Sequence, residues 1–300
     1  MFPEPFHLGP LRVAPYGMAV GLGLMLAIFV ARRENDRSRF LSPEACESVI
    51  FGTVIWGFLG ARLLYVWTRR HEFIDRCFTP VGVTSDCLAP LKIWEGGLVF
   101  YGGPIASILF IMWYFALRND APGLSRGERW TRFYRFTDIC VPALALAHAF
   151  GRIGCLFAGC CFGRISESIF AMQYPLGNLN LNGTTGRYPV QLVEAVFETL
   201  IFVWLVMMRP KKRFHGQITL AYFMVYPIVR IIVEIYRGDS IRGFVVEAAI
   251  PAFNRVLGLP PETVSLLTTS QFISLLIGCG AGALWLMARK RLNHLNRPAV

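Results

Sequence analysis

Residues 217–236 read QITLAYFMVYPIVRIIVEIY. An apolar stretch of about 20 residues is long enough to cross the hydrocarbon core of a bilayer as a helix. This one nevertheless carries Arg230 and Glu234, with Arg237 just beyond. An ionisable group within a span costs about 2.5–3.5 kcal/mol on insertion scales and marks a functional site by default. The three charges are spaced i, i+4 and i+7, so they share one helical face. Glu234 can pair with either arginine, and the face keeps a net positive charge. It suits an anion held near the outer leaflet. The competing reading is a structural salt-bridge stripe between helices.

Six further apolar stretches of span length lie at roughly 13–31, 47–67, 98–117, 136–157, 190–208 and 270–288. Composition agrees. Of 300 residues, 54% are hydrophobic and 16% charged, against about 25% charged in a soluble protein; the mean hydropathy is +0.48. The net charge is +11, which in a soluble chain would suggest nucleic acid. Too few polar residues remain to build a water-exposed basic face, so no nucleic-acid partner is expected. Disorder, a collagen-like fibre and a small disulfide scaffold are excluded by the same figures. The chain reads as an all-α integral membrane protein, a single domain over 1–300 with seven transmembrane helices.

The basic residues orient it. With the N-terminus outside, segments 32–39, 118–135, 209–215 and 289–300 face inward and hold four, five, four and four Lys and Arg. That is seventeen of the 30, against ten in the outer segments and three (Arg62, Arg152 and Arg230) within spans. Cytoplasmic loops carry the basic excess, so the C-terminus is expected inside. No cleavable signal peptide is expected, because residues 1–9 carry no basic residue and no small-residue cleavage site follows the first apolar run. The two longest outer segments are a loop at 68–97 and a Gly- and Asn-rich insertion at 158–189, expected to form a small periplasmic cap.

Eight cysteines punctuate the chain. Cys77 and Cys87 share one outer loop, where they could form a disulfide; two unpaired thiols fit the spacing equally well. Cys155, Cys160 and Cys161 form a C-x4-C-C cluster. Zinc sites normally use four ligands with C-x2-C spacing, so no metal is expected there.

Three more stretches concentrate polar groups near spans. Gly151-Arg152-Ile-Gly154-Cys155 ends the fourth span and runs on to Gly159, Gly163 and Arg164. Glycine lets a backbone approach a ligand closely, and an arginine among glycines can present a planar fork to a phosphate; a helix-packing corner is the competing reading. Trp94-Glu95-Gly96-Gly97 and Tyr101-Gly102-Gly103 lead into the third span, and Tyr188-Pro189-Val190-Gln191…Glu194 leads into the fifth. Asp138, Glu198, Arg62 and Tyr65 add polar groups, and Arg62 could neutralise one of the carboxylates.

Taken together, these residues resemble the bacterial prolipoprotein diacylglyceryl transferases. The resemblance runs nearly end to end: Gly9-Pro10…Tyr16-Gly17, Trp94-Glu-Gly-Gly97…Gly102-Gly103, Gly151-Arg152-Ile-Gly154…Gly159…Gly163-Arg164, Tyr188-Pro-Val-Gln191…Glu194 and Arg230…Glu234…Arg237…Asp239, with Ser270-Gln271 opening the last helix. Each motif alone is weak; five in order are specific.

The resemblance implies a multi-pass protein of the bacterial inner membrane and a defined reaction. The thiol of a lipobox cysteine in a prolipoprotein signal peptide attacks the glyceryl C3 of phosphatidylglycerol. A thioether forms and glycerol-1-phosphate departs, without metal or other cofactor. Arg152 and Arg230 would hold and neutralise the phosphate, and Glu234 would orient Arg230. Tyr16, Gly17, Gly102, Gly103, Gly154, Cys155, Gly163, Tyr188, Gln191 and Arg237 would shape the lipid site, with Tyr101 beside the chemistry. The sequence departs from the family pattern where Tyr101 and Tyr188 replace His, Cys155 replaces Asn and Cys160 replaces Glu. Those departures leave the general base unassigned. They also fit a second reading, a paralogue that binds anionic lipid or a lipoprotein without transfer.

Overall fold

The computed structural model describes residues 6–8, 11–78, 86–92, 96–116, 123–174, 186–237, 244–248, 251–256 and 266–295. Helices occupy Pro15–Ser38 (α1), Pro43–Thr68 (α2), Arg70–Phe78 (α3), Gly102–Ala116 (α4), Arg126–Phe157 (α5), Val190–Met208 (α6), Gln217–Tyr236 (α7), Pro251–Val256 (α8) and Thr269–Leu295 (α9). Two short antiparallel pairs join Phe6–Leu8 (β1) to Leu11–Val13 (β2) and Phe244–Ala248 (β3) to Leu266–Thr268 (β4). Six helices, α1, α2, α5, α6, α7 and α9, are long and apolar enough to cross a membrane. The third expected span is the shorter α4, of 15 residues. The motif residues Gly9, Pro10, Trp94, Glu95 and Asp239 lie outside the described residues, as does most of the Gly- and Asn-rich tract.

Helices extend beyond the apolar stretches. α1 continues to Ser38, α5 begins at Arg126 and α9 reaches Leu295. Hydropathy marks only the part of a helix that meets lipid. The basic ends remain helical because Arg, Lys and Glu are themselves good helix formers.

The chain divides into two compact units, Met1–Ala31 with Arg135–Val300, and Arg32–Tyr134. In the unit of residues 32–134, α2 packs on α4 through glycine. A Cβ on Gly102 would fall 2.9 Å from the Ala61 Cα, against the Gly60 backbone. Ser107 reinforces the contact by donating to the Thr53 carbonyl at 3.0 Å.

Arg62 neutralises no carboxylate among the described residues, which corrects the sequence expectation. Its guanidinium donates to five carbonyls instead: Pro90 (2.9 Å), Ala89 (3.0 Å), Gly97 (3.0 Å), Lys92 (3.1 Å) and Gly96. It also lies over the Tyr65 ring, 5.3 Å from the centroid. Gly97 can close this loop because its φ is +82° and the Tyr65 ring occupies the space a side chain would need. Cys77 and Cys87 are joined by a disulfide at the end of α3.

In the other unit, a core of Val141, Ala145, Val190, Ile201, Leu205, Ile218 and Tyr222 joins α5, α6 and α7. Asp138 of α5 caps α7: it accepts from the Gly216 amide at 2.8 Å, the Thr219 amide at 2.9 Å and the Thr219 hydroxyl at 3.0 Å. This buried carboxylate thus satisfies orphan amides at a helix start. α9 opens with a capping box, in which Thr268 and Gln271 each accept from the other's amide at 3.1 Å.

Replacing Arg62 with Ala strips five carbonyls of their donor. The expected loss is at least about 2 kcal/mol, read as a lowered thermal midpoint in detergent together with faster proteolysis within residues 68–97.

Candidate functional site

Three helices of the larger unit bring their charges to one place. His148 and Arg152 are one turn apart on α5, Glu194 and Glu198 one turn apart on α6, and Arg230 and Glu234 one turn apart on α7. Residues spaced i and i+4 present side chains on the same face. Three helices carrying such pairs can therefore zip together by charge.

Glu194, 1% exposed, is the junction. Its Oε1 accepts from Arg152 Nη2 at 2.9 Å and lies 3.7 Å from His148 Nε2. Its Oε2 is 3.6 Å from Arg230 Nη1. Arg230 also donates through Nη2 to Glu234 at 2.5 Å and to the Ser270 hydroxyl at 3.1 Å. Glu198 sits 2.8 Å from His148 Nδ1 and accepts from the Tyr222 hydroxyl at 3.5 Å. Tyr226 closes the group, its ring edge-to-face with His148 at 5.3 Å.

Two arginine donors are left over. Arg152 Nε and Arg230 Nη1 are buried and have no hydrogen-bond partner among the described residues. A buried donor without an acceptor carries a desolvation cost of about 1–3 kcal/mol. An anion with several acceptor oxygens would remove that cost at both arginines.

The segment after α5 folds over the ends of α6 and α7. Gly163 donates its amide to the Tyr188 carbonyl, and Arg164 its amide to the Tyr236 carbonyl, both at 2.9 Å. A Cβ on Gly163 would lie 2.7 Å from the Tyr236 oxygen, so only glycine permits this approach. Gln191 is buried here; it accepts from the Tyr174 hydroxyl at 3.2 Å and donates to the Cys160 carbonyl. Burial pushes Tyr174 up to about 12 and lowers the Arg164 guanidinium. Cys155, Cys160 and Cys161 place their sulfur atoms within 4.8 Å of one another. The Cys161 thiol is held well below its ordinary range by hydrogen bonds from Cys155 and Cys160, and the Arg237 and Arg152 charges add to this.

The sequence-predicted residues thus divide. Arg152, Arg230 and Glu234 meet through Glu194. Arg237 lies past the helix as the C-cap of α7, bridged to Gly163. Tyr188 packs edge-to-face on Tyr236 at 5.4 Å. Gly154 receives Tyr16 and Ala19 of α1: a Cβ there would lie 3.1 Å from the Tyr16 ring. Gly17 has open space around its Cα. Tyr101, 48% exposed, Gly102 and Gly103 belong to the other unit, where Gly102 serves the α2–α4 contact. His148 was not singled out from the sequence. The available signal was its i, i+4 relation to Arg152, matched by Glu194 and Glu198 on α6.

Comparison with known proteins concerns the chain as a whole. The family model described as prolipoprotein diacylglyceryl transferase matches residues 3–287. A phosphatidylglycerol–prolipoprotein diacylglyceryl transferase of Clostridium tetani is 28% identical over 278 residues, covering 92% of this chain and 93% of the relative. A second, numbered 2, from Clostridium perfringens is 29% identical over 270 residues, with coverage of 90% and 89%. The Rickettsia bellii protein of that name is 28% identical over 268 residues, with coverage of 86% and 90%.

Glu194→Gln removes the charge that two arginines share. Breaking a buried pair leaves uncompensated charge and costs about 3–5 kcal/mol. The expected result is a fall in thermal midpoint larger than that of the Thr199→Ala change one turn along α6.

Proposed function

The chain belongs to the prolipoprotein diacylglyceryl transferase family, and from that premise we propose that it transfers the diacylglyceryl group of phosphatidylglycerol to the lipobox cysteine of exported prolipoproteins. The observation that carries this reading is the pair of buried donors that make no hydrogen bond among the described residues, Arg152 Nε and Arg230 Nη1, on arginines bridged by one carboxylate. The leaving group is a phosphate monoester, and fixed guanidinium donors stabilise negative charge as it develops.

His148 is the base in this scheme. Its Nδ1 faces Glu198, and its Nε2, 3.7 Å from Glu194, accepts the proton of the acceptor thiol. The thiolate sulfur then bonds to glyceryl C3. The C3–O bond breaks, and its electron pair leaves on glycerol-1-phosphate beside Arg152 and Arg230. Glu194 and Glu234 act as positioning residues for the arginines. Tyr16, Gly17, Gly154, Gly163 and Arg237 shape the lipid-binding side. Cys155, Tyr188 and Gln191 support it from the start of the cap, and Tyr101, Gly102 and Gly103 form a second substrate contact at the head of α4.

The proposed topology has seven spans with the N-terminus outside, in the bacterial inner membrane. α4 supplies the third span together with the apolar residues 98–101 that precede it. Seventeen basic residues in the inner segments support this orientation, and segments 68–97 and 158–189 then face the periplasm.

Purified protein given labelled phosphatidylglycerol and a lipobox peptide should form the thioether. Arg152→Ala and Arg230→Ala are each expected to abolish it, and transfer that survives both changes rules out the arginine clamp. His148→Ala is expected to slow transfer at pH 7 at least about a hundredfold. That loss should shrink toward pH 9, where the acceptor thiol ionises unaided. A variant whose pH profile matches the parent's removes His148 from the mechanism.

A further inference from the structure

Spacing alone gave no reason to read Cys155, Cys160 and Cys161 as a ligand set. The fold supplies one. Cys155 lies in the last turn of α5, and Cys160 and Cys161 in the turn that follows. Their three sulfur atoms all fall within 4.8 Å of one another, close enough for one ion to touch each.

The backbone holds the thiols there. Gly159 and Cys161 have φ of +64° and +60°. For a residue with a side chain this left-handed conformation costs about 1–3 kcal/mol and persists where surrounding structure enforces it, often at ligand clamps. The Cys160 amide donates to the Cys155 carbonyl at 3.1 Å, and the Cys160 carbonyl is held by the buried Gln191. The turn is therefore fixed at both ends before any ion arrives.

Thiolates select soft ions, of which Cu(I) and Zn(II) are the common ones. Structural zinc takes four protein ligands, and no His or carboxylate joins this cluster among the described residues. We propose that Cys155, Cys160 and Cys161 form a three-thiolate site for a soft, thiophilic metal ion, with Cu(I) the best match. Cu(I) takes the place of the protons the three sulfur atoms still carry, with no change of oxidation state, and leaves a complex of charge −2. The positive charges of Arg152 and Arg237 act on this cluster and offset it. Occupancy also places negative charge beside the arginine that would receive a phosphate, so metal and phosphate oppose one another there.

The test uses the full chain, purified anaerobically in detergent with its free thiols reduced. Cu(I), supplied as its acetonitrile complex, is titrated against a colorimetric Cu(I) chelator. One equivalent should be retained, and X-ray absorption should show three sulfur neighbours at about 2.3 Å. Cys155→Ser, Cys160→Ser and Cys161→Ser should each weaken retention at least tenfold, whereas Cys46→Ser and Cys279→Ser should not. Retention that survives each of the three single changes overturns the proposal. An arm without substitutions guards against variants that do not fold. Bound Cu(I) should protect these three thiols of the unmodified chain from alkylation, read by peptide mass. Labelling that is indifferent to Cu(I) overturns the site.

Discussion

One carboxylate ties the larger unit together. Glu194 of α6 takes Arg152 of α5 on one oxygen and faces Arg230 of α7 with the other. In a low-dielectric interior neither arginine is tolerable alone, and neither is the glutamate. The three helices are therefore held in one register by a contact that fails if any member is removed. Asp138 repeats the device about four turns earlier on α5, where it caps α7 through Gly216 and Thr219. Apolar packing between these two anchors supplies the bulk of the contact. The anchors decide which faces meet, because lipid-facing and helix-facing apolar residues are otherwise chemically alike.

The cap follows from that register. Gly163 and Arg164 reach the carbonyls of Tyr188, two residues before α6, and Tyr236, the last residue of α7. Their spacing is set by how those helices pack. Gln191, one turn before Glu194, anchors the same segment from beneath through the Cys160 carbonyl. A shift of α6 along its axis would thus move the arginine bridge and the cysteine turn together.

Much of the architecture was legible in the sequence, for one physical reason. Lipid demands about 20 apolar residues per crossing; each of the seven stretches overlaps a helix, and six of those helices are long and apolar enough to cross. Hydropathy says nothing about the polar ends, so the extensions of α1, α5 and α9 went unread. Arg230 and Glu234 could be read because two charges four apart on one helix need no tertiary information. Arg62 misled because an arginine in a span suggests an acid, whereas backbone carbonyls can satisfy all five of its N–H groups. Gly102 and Gly154 also serve helix contacts, with Gly60 and with Tyr16, which their sequence motifs do not show. His148 was hidden because its only local signal, the four-residue spacing to Arg152, gives it no partner by itself. Its meaning depends on Glu194 and Glu198, more than 40 positions away, and only packing supplies that pairing. The proximity of the three cysteines was hidden in the same way: their spacing does not show that the turn after α5 brings their sulfur atoms together.

Full pairing of a buried charge does not bar it from binding substrate. Glu194 and Glu234 face Arg152 and Arg230, so each arginine already has a carboxylate beside it in the resting cluster. A lysine in either arginine's place would spend its single charge centre on the glutamate and present nothing further. A guanidinium has five N–H donors in a rigid fork, so one edge can hold a carboxylate while another meets a phosphate. Arg152 gives Nη2 to Glu194 and keeps Nε; Arg230 gives Nη2 to Glu234 and Ser270, while its Nη1 faces Glu194 at 3.6 Å without a hydrogen bond. The carboxylates thus orient the arginines without exhausting them. That division of donors lets a site be stable when empty and still favour an incoming anion, and it requires arginine at both positions.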